Sequence, residues 1–221
     1  MSAIPGAASA DLLTSTLAEA EALAPGALLL RGFARDETVA LVATVAEIAA
    51  AAPFRQMITP GGYRMSVAMT NCGDAGWVTD RRGYRYSPLD PLTGQPWPAM
   101  PEIFRDLAAR AAEAAGFADV APDACLINRY APGARLSLHQ DKDERDAAAP
   151  IVSVSLGLSA IFLWGGPRRN DRPRRILMES GDVAIWGGPA RFTYHGIAPL
   201  ADGAHPLTGR ARINLTLRKA L

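Results

Sequence analysis

Ile151-Val152-Ser153-Val154-Ser155-Leu156-Gly157-Leu158, then Ser159, then Ala160-Ile161-Phe162-Leu163-Trp164 and Gly165-Gly166-Pro167 form the stretch that decides the fold. The first run alternates with period 2, the second is apolar and aromatic, and the glycines and proline mark where a strand stops. Working outward, Ala124–Tyr130, Arg175–Glu179, Val183–Trp186 and Arg212–Arg218 read as strands too. Pro132-Gly133, Ser180-Gly181-Asp182 and Gly187-Gly188-Pro189 supply turns between them. Many short strands following a pair of helices predict a mainly β fold with flanking α, a β-sandwich or jelly roll with helices packed outside.

The helices lie upstream. Asp36 is placed to cap a helix running to about Ala52, with Val39, Val42, Val45 and Ile48 as its apolar stripe and Pro53 as its stop. Ala27–Leu30 before it reads as a short buried strand, and residues 1–24 are Ala-rich and poorly patterned. Pro101 at the first helical position opens a second helix that Gly116 closes, with Ile103, Phe104, Leu107 and Ala111 on its buried face. Between the helices, residues 53–100 are broken by glycine and proline yet carry Tyr63, Trp77, Tyr84, Tyr86 and Trp97. Disordered segments are poor in aromatics, so this one is expected to be an ordered lid with short hairpins around Gln56–Ile58 and Arg64–Thr70.

Composition narrows the class. At 221 residues, 49% hydrophobic and 20% charged, the chain suits one globular domain. A net charge of +1 means that nucleic-acid binding would have to come from a local patch. Of the 23 basic residues only Lys142 and Lys219 are lysine, and arginine is the better fork for carboxylate and phosphate. Cys72 and Cys125 are isolated, which indicates neither a disulfide framework nor a zinc site. The N-terminus lacks the pattern of a secretory signal and no run is long enough for a membrane span, so a cytoplasmic location without membrane contact is expected.

His139-Gln140-Asp141 puts an imidazole and a carboxylate on one face of an extended segment. His195 is a second imidazole on a later strand end, and two histidines with one carboxylate are the ligand set of an iron(II) centre with open positions. Taken alone the motif is weak, because an isolated histidine is more often simply hydrogen-bonded; His205, in the polar Asp202–Pro206 loop, is read as structural or solvent-exposed. In Arg212–Arg218 the residues Arg212, Asn214, Thr216 and Arg218 share a face opposite Ile213, Leu215 and Leu217. That polar face is either solvated or a cradle for a dicarboxylate. Leu126, Asn128 and Tyr130 share a face in the same way and add an amide and a phenol.

These residues together resemble a known family. Asn128-Arg129-Tyr130, His139-Gln140-Asp141-Lys142-Asp143, His195 and Arg212-x-Asn214-x-Thr216-x-Arg218 are similar to the iron(II)/2-oxoglutarate-dependent dioxygenases of the AlkB DNA-repair family, in its bacterial type. The likeness also runs through Phe54–Pro60, Met65–Trp77 and Tyr84–Pro101. It implies a single domain with a double-stranded β-helix (jelly roll) core over 124–218 and a nucleotide-recognition lid over 53–100. It implies iron(II) on His139, Asp141 and His195, with 2-oxoglutarate and dioxygen as cosubstrates. The cosubstrate is expected against Asn128, Arg129, Tyr130, Arg212, Asn214, Thr216 and Arg218. Trp77, Tyr84, Arg85, Tyr86, Asp143 and Arg169 are implied as substrate contacts.

The reaction implied is oxidative dealkylation of N-alkylated bases of the 1-methyladenine and 3-methylcytosine type. The substrate would be single- or double-stranded DNA, or RNA, handled by a monomer with no obligate protein partner. Trp77 would stack on the cationic base, and the five arginines of Arg168–Arg175 would meet phosphates. A related 2-oxoglutarate hydroxylase acting on RNA, protein or a small molecule shares the iron residues and Arg212 but has no need of Trp77, Asp143 or the basic loop. A zinc hydrolase or a non-catalytic binding module fits less well, since neither needs a 2-oxo-acid cradle. Trp164 departs from the phenylalanine expected there, which implies altered packing beneath the pocket.

Overall fold

The computed structural model describes residues 19–221. In chain order these form β1 (Ala20–Ala24), β2 (Ala27–Leu30), α1 (Thr38–Ala51), β3 (Arg55–Ile58), β4 (Arg64–Gly73), β5 (Gly76–Asp80) and β6 (Gly83–Ser87). Then come α2 (Glu102–Ala114), β7 (Ala124–Tyr130), β8 (Leu136–His139), β9 (Ile151–Gly157) and β10 (Ala160–Trp164). The last four strands are β11 (Arg174–Met178), β12 (Val183–Trp186), β13 (His195–Ile197) and β14 (Arg212–Arg218). The major sheet has eight strands in the order β1-β2-β12-β9-β14-β7-β4-β3, the minor sheet has four in the order β11-β10-β13-β8, and β5-β6 stand apart as a hairpin. This is the jelly roll that the strand pattern predicts.

Period-2 alternation sorts the core into two compartments. On β14, Ile213, Leu215 and Leu217 join Val152, Val154 and Leu156 of β9 and Val183 and Ile185 of β12 against both helices. The opposite face of the major sheet, through Met69, Leu126, Ala184 and Trp186, meets Phe162, Trp164, Ile176 and Ile197 of the minor sheet. Each large apolar side chain withdrawn in this way contributes about 1.5–3 kcal/mol. All seven residues of β14 are therefore buried, polar ones included. Solvation of its polar face, one of the two readings left open, does not occur.

Helix ends follow local chemistry, with corrections. Gly116 at φ 81° lets its own N–H reach Glu113 and that of Phe117 reach Ala112, closing α2 with a left-handed cap. Pro101 sits just outside α2 as its N-cap, not in its first turn. Asp36 does not cap α1: a 3-10 turn over Arg35–Glu37 precedes the helix, and its Arg35 carbonyl accepts from the Thr38 N–H, the first of α1. The buried stripe of α1 is Leu41, Val45 and Ile48, with Val39 64% exposed. That stripe is equally regular and carries the longer leucine, while Val39 falls in the first turn on the solvent side.

Two further expectations are corrected. Residues 53–100 are ordered and β3 and β4 pair where short hairpins were expected, but these two strands extend the major sheet, β4 pairing with β7 from Ala68 to Gly73. From Met69 onward β4 is buried on both sides, which erases the alternation by which a strand is recognised. The poorly patterned start contains β1, paired to β2 across a turn at Gly26; residues 1–18 lie outside the described residues. Arg55 grips Asp90 with two hydrogen bonds of 2.8 and 2.6 Å and lies 5.2 Å from the Trp97 ring centre, which secures the loop after β6.

Candidate active site

A cleft of about 810 Å³ opens between the two sheets. On its minor-sheet wall, His139 at the end of β8 pairs directly with His195 at the start of β13. Asp141 follows two residues later, and the ligand atoms of His139, Asp141 and His195 lie within 4.8 Å of one another. Asp141 Oδ1 is 3.5 Å from His139 Nε2, and its Oδ2 is 3.6 Å from His195 Nε2. Each Nδ1–H donates to the carbonyl two residues back, Ser137 for His139 at 2.9 Å and Thr193 for His195 at 3.0 Å. Those bonds fix the tautomer and leave both Nε2 lone pairs facing the same point.

The protonation states suit a cation. Burial alone would raise the Asp141 carboxyl, but the Arg218 guanidinium, 2.7 Å from Oδ2, and the two imidazoles hold it well below the usual carboxylate range. Burial, and then the neighbouring His139, push the His195 imidazole down, so it stays neutral and ready to donate a lone pair. Three protein ligands of this kind fit iron(II) and leave positions for a chelating cosubstrate and dioxygen.

The major-sheet wall offers the anion cradle. The Arg212 side chain is buried and lies 5.1 Å from the Tyr130 ring centre, and its Nη2 donates to Ser155 Oγ at 2.8 Å. Its Nε and Nη1 have no partner among the described residues, and neither does Asn128 Oδ1. A buried guanidinium with idle donors is costly unless an anion meets it, so the cradle fits a carboxylate of 2-oxoglutarate. Asn214 and Thr216 line the cleft but are engaged internally. Asn214 Nδ2 donates to Ser153 Oγ and to the Val154 carbonyl, both at 2.9 Å, and Thr216 Oγ1 donates to Asn214 Oδ1 at 3.0 Å. Arg218 is committed to Asp141 and to the Tyr86 hydroxyl, the latter at 3.1 Å.

At the mouth, Trp77 stacks on Tyr84 with ring centres 5.6 Å apart and donates Nε1–H to Asp143 Oδ2 at 2.8 Å. Arg169 also lines the cleft. Tyr86, expected as a substrate contact, does not line the cleft: its hydroxyl donates to Glu144 Oε1 at 2.7 Å. Two further residues face away from the cleft. Arg129 is the exposed position of β7, on the opposite face from Asn128 and Tyr130, and lies 5.9 Å from the Phe54 ring centre. Arg85 alternates away from Tyr84 and Tyr86 and is spent on Asp80, with bonds of 3.0 and 2.7 Å.

The basic loop is only partly available. Arg168 is held by Asp171 and Arg174 by Glu21 and the Leu23 carbonyl. Trp164 packs beneath the site, its ring centre 6.0 Å edge-on from that of Trp186. Sequence reading passed over Ser153, Ser155, Glu144 and Arg191. The two serines had a signal, since they alternate with valine on β9 just as the polar residues alternate on β14.

Facing imidazoles on one wall and an unpaired guanidinium on the other define an oxygenase that uses a metal and a small anionic cosubstrate. Residues 26–218 match the family model of the 2OG-Fe(II) oxygenase superfamily, and the chain belongs to that superfamily. Over 210 residues it is 60% identical to the alpha-ketoglutarate-dependent dioxygenase AlkB of Escherichia coli (strain K12), across 95% of this chain and 97% of that protein. It is 47% identical over 182 residues to the AlkB homolog of Caulobacter vibrioides (strain NA1000 / CB15N), across 82% of this chain and 81% of that one. The solved structure of OsALKBH1 superposes with a TM-score of 0.81 at 29% identity, over 91% of this chain and 100% of that one. The likeness is thus to AlkB-type dioxygenases, with iron(II) as cofactor and 2-oxoglutarate and dioxygen as cosubstrates.

Proposed function

We propose that the protein removes N-alkyl groups from bases of the 1-methyladenine and 3-methylcytosine type in DNA, preferably single-stranded, working as a cytoplasmic monomer. The observation that carries this reading is the Trp77–Asp143 pair at the mouth of the cleft. A base alkylated on its pairing edge is flat and cationic near neutrality. An indole face offers it stacking and cation–π attraction, and a carboxylate next to that face accepts from its exocyclic amine. In duplex DNA the base must leave the stack, which costs less for a base that cannot pair.

Each wall then has a task. His139, Asp141 and His195 would hold iron(II), while Arg212, with Asn128 and Tyr130 nearby, would hold the distal carboxylate of 2-oxoglutarate. When bound, iron(II) with 2-oxoglutarate and dioxygen supplies the oxidising power to hydroxylate the N-alkyl carbon, with succinate and CO2 as co-products. The hydroxyalkyl amine collapses to aldehyde and unmodified base. The chain's own part is to orient the alkyl group, exclude water and place the phosphates, with Arg169 at the rim.

Incubation with iron(II), ascorbate, 2-oxoglutarate and a 1-methyladenine oligonucleotide should release formaldehyde and succinate in equal amounts, and Asp141→Ala should abolish both. Turnover surviving in Asp141→Ala sinks the iron assignment. An RNA oligonucleotide of the same sequence in a parallel arm reads the preference between the two nucleic acids. Succinate formed without aldehyde from either would point to another class of substrate.

A further inference from the structure

Asp141 is the one metal ligand that no strand holds. His139 and His195 are set by direct pairing of β8 with β13, whereas residues 140–150 contain neither helix nor strand. Two buried guanidinium groups take over that work. Arg218 holds the carboxylate through Oδ2. Arg191 holds the backbone: its Nη1 donates to the Asp141 carbonyl at 2.6 Å, its Nη2 to Glu144 Oε2 at 3.0 Å and its Nε to the Ala149 carbonyl at 3.1 Å. Its acceptors thus fall at the start, middle and end of one irregular segment.

Arg191 stands directly after the 3-10 turn Gly188–Ala190, four residues before His195. One side chain therefore joins the segment carrying Asp141 to the segment carrying His195. Gln140 Nε2, donating to the Phe192 carbonyl at 2.6 Å, is a second tie between the same two segments. The arrangement is electrically closed. Glu144 lies between Arg191 and Arg218 and accepts from Tyr86 of the β5-β6 hairpin, so two buried cations face two buried carboxylates.

We propose that Arg191 is a positioning residue of the metal centre, setting where the Asp141 carboxylate stands between the two imidazoles by clipping its backbone to the approach to His195. The proposal rests on the reading of His139, Asp141 and His195 as the iron site. Outer partners of metal ligands typically change metal affinity about 10–100-fold when removed. Lysine at this position keeps the charge facing Glu144, but one ammonium cannot reach three acceptors spread over nine residues.

The test compares wild type, Arg191→Met, Arg191→Lys and Asp141→Ala without cosubstrate. It reads manganese(II) affinity by calorimetry, the cobalt(II) visible spectrum as a report on ligand geometry, and thermal melting of the metal-free proteins. Arg191→Met should weaken manganese(II) binding at least about tenfold and shift the cobalt(II) bands, with Arg191→Lys recovering part of both. A folded Arg191→Met with affinity within about twofold of wild type and an unchanged cobalt(II) spectrum overturns the proposal. If the methionine variant does not fold, Arg191→Lys decides: wild-type affinity and spectrum overturn it, and weakened affinity with shifted bands upholds it. Wild type that fails to bind, or Asp141→Ala that binds equally well, removes the iron-site reading itself, and the proposal with it.

Discussion

Replacing Arg212 with methionine separates what this residue does for folding from what it does for ligand binding. The guanidinium is 2% exposed, donates to Ser155 and faces Tyr130, and its Nε and Nη1 have no partner among the described residues. Burial pulls its pKa down, which marks the charge as held at a cost. Methionine forfeits a cation–π contact of about 0.5–2 kcal/mol and a charge-assisted bond of about 1.5–3 kcal/mol. In return it removes two unsatisfied donors at about 1–3 kcal/mol each, and a buried charge whose desolvation costs several kcal/mol more. The ligand-free variant is therefore expected to be as stable as wild type or up to about 3 kcal/mol more stable. For a chain of this size each kcal/mol moves Tm by about 2–4 °C.

Ligand reverses the order. At one hundred times its Kd, 2-oxoglutarate with manganese(II) stabilises wild type by about 2.7 kcal/mol. Loss of a buried charged partner costs about 2–5 kcal/mol of binding, so Arg212→Met should show almost no cosubstrate-dependent shift. Thermal melts of both proteins, with manganese(II) alone and with added 2-oxoglutarate, read the two effects. A ligand-free variant destabilised by more than about 2 kcal/mol would make Arg212 a structural residue and refute the reasoning. Equal cosubstrate shifts in the two proteins would place the anion elsewhere.

Four further outcomes are expected. A Cβ on Gly196 would stand 2.6 Å from the Leu136 carbonyl, so Gly196→Ala should part β13 from β8 and abolish cobalt(II) binding while the protein stays folded; intact binding would refute the close-approach argument. Leu215→Ala, at the centre of β14 and fully buried, should cost about 2–5 kcal/mol in urea denaturation, and a loss below about 1 kcal/mol would mean that the site collapses freely. Arg169→Ala should weaken oligonucleotide binding alike for all sequences and lower the salt slope by about 1; a sequence-dependent loss would mean that it reads bases. The folded pKa of His195 lies below its ordinary 6.5, so the unfolded chain binds the proton first as pH falls. That contribution is complete above 6.5 and is lost below it, so metal-free protein should be less stable at about pH 5.5 than at about pH 7.5. His195→Gln should flatten the slope, and an unchanged slope would assign it to another group.

Strands bordered by turns were legible: β7, β10, β12 and β14 occupy the spans that alternation or an apolar run between turn residues predicts. The half of β4 buried on both faces was not, because from Met69 onward it has no exposed face to alternate against a buried one. The same limit applies to side chains. His139, Asp141 and His195 could be read from residue type and spacing, and Asn128, Tyr130 and Arg212 from shared faces. Arg129 and Arg85 belong to the same motifs but alternate outward, a distinction that period 2 already contains. Arg191 had no such signal, since its value depends on a loop that begins fifty residues earlier and folds back against it.

Arg212 and Arg218 show how the site arises from the core. They lie on one face of one strand, both buried, with the same charge, yet burial is answered differently at each. Arg218 has Asp141, Tyr86 and Glu144 around it, and those partners outweigh desolvation and raise its pKa. Arg212 has one serine and the Tyr130 phenol, which do not outweigh desolvation, and its pKa falls. A chain selected only for stability would fill that space with an apolar side chain, as it does on the helix-facing side of the same strand. The polar residues of β14, β9 and β7 interrupt the apolar contact between the two sheets along the wall of the cleft. The matched arginine holds the Asp141 carboxylate, and the unmatched one is the place that the proposed function gives to a second anion, taken from solution.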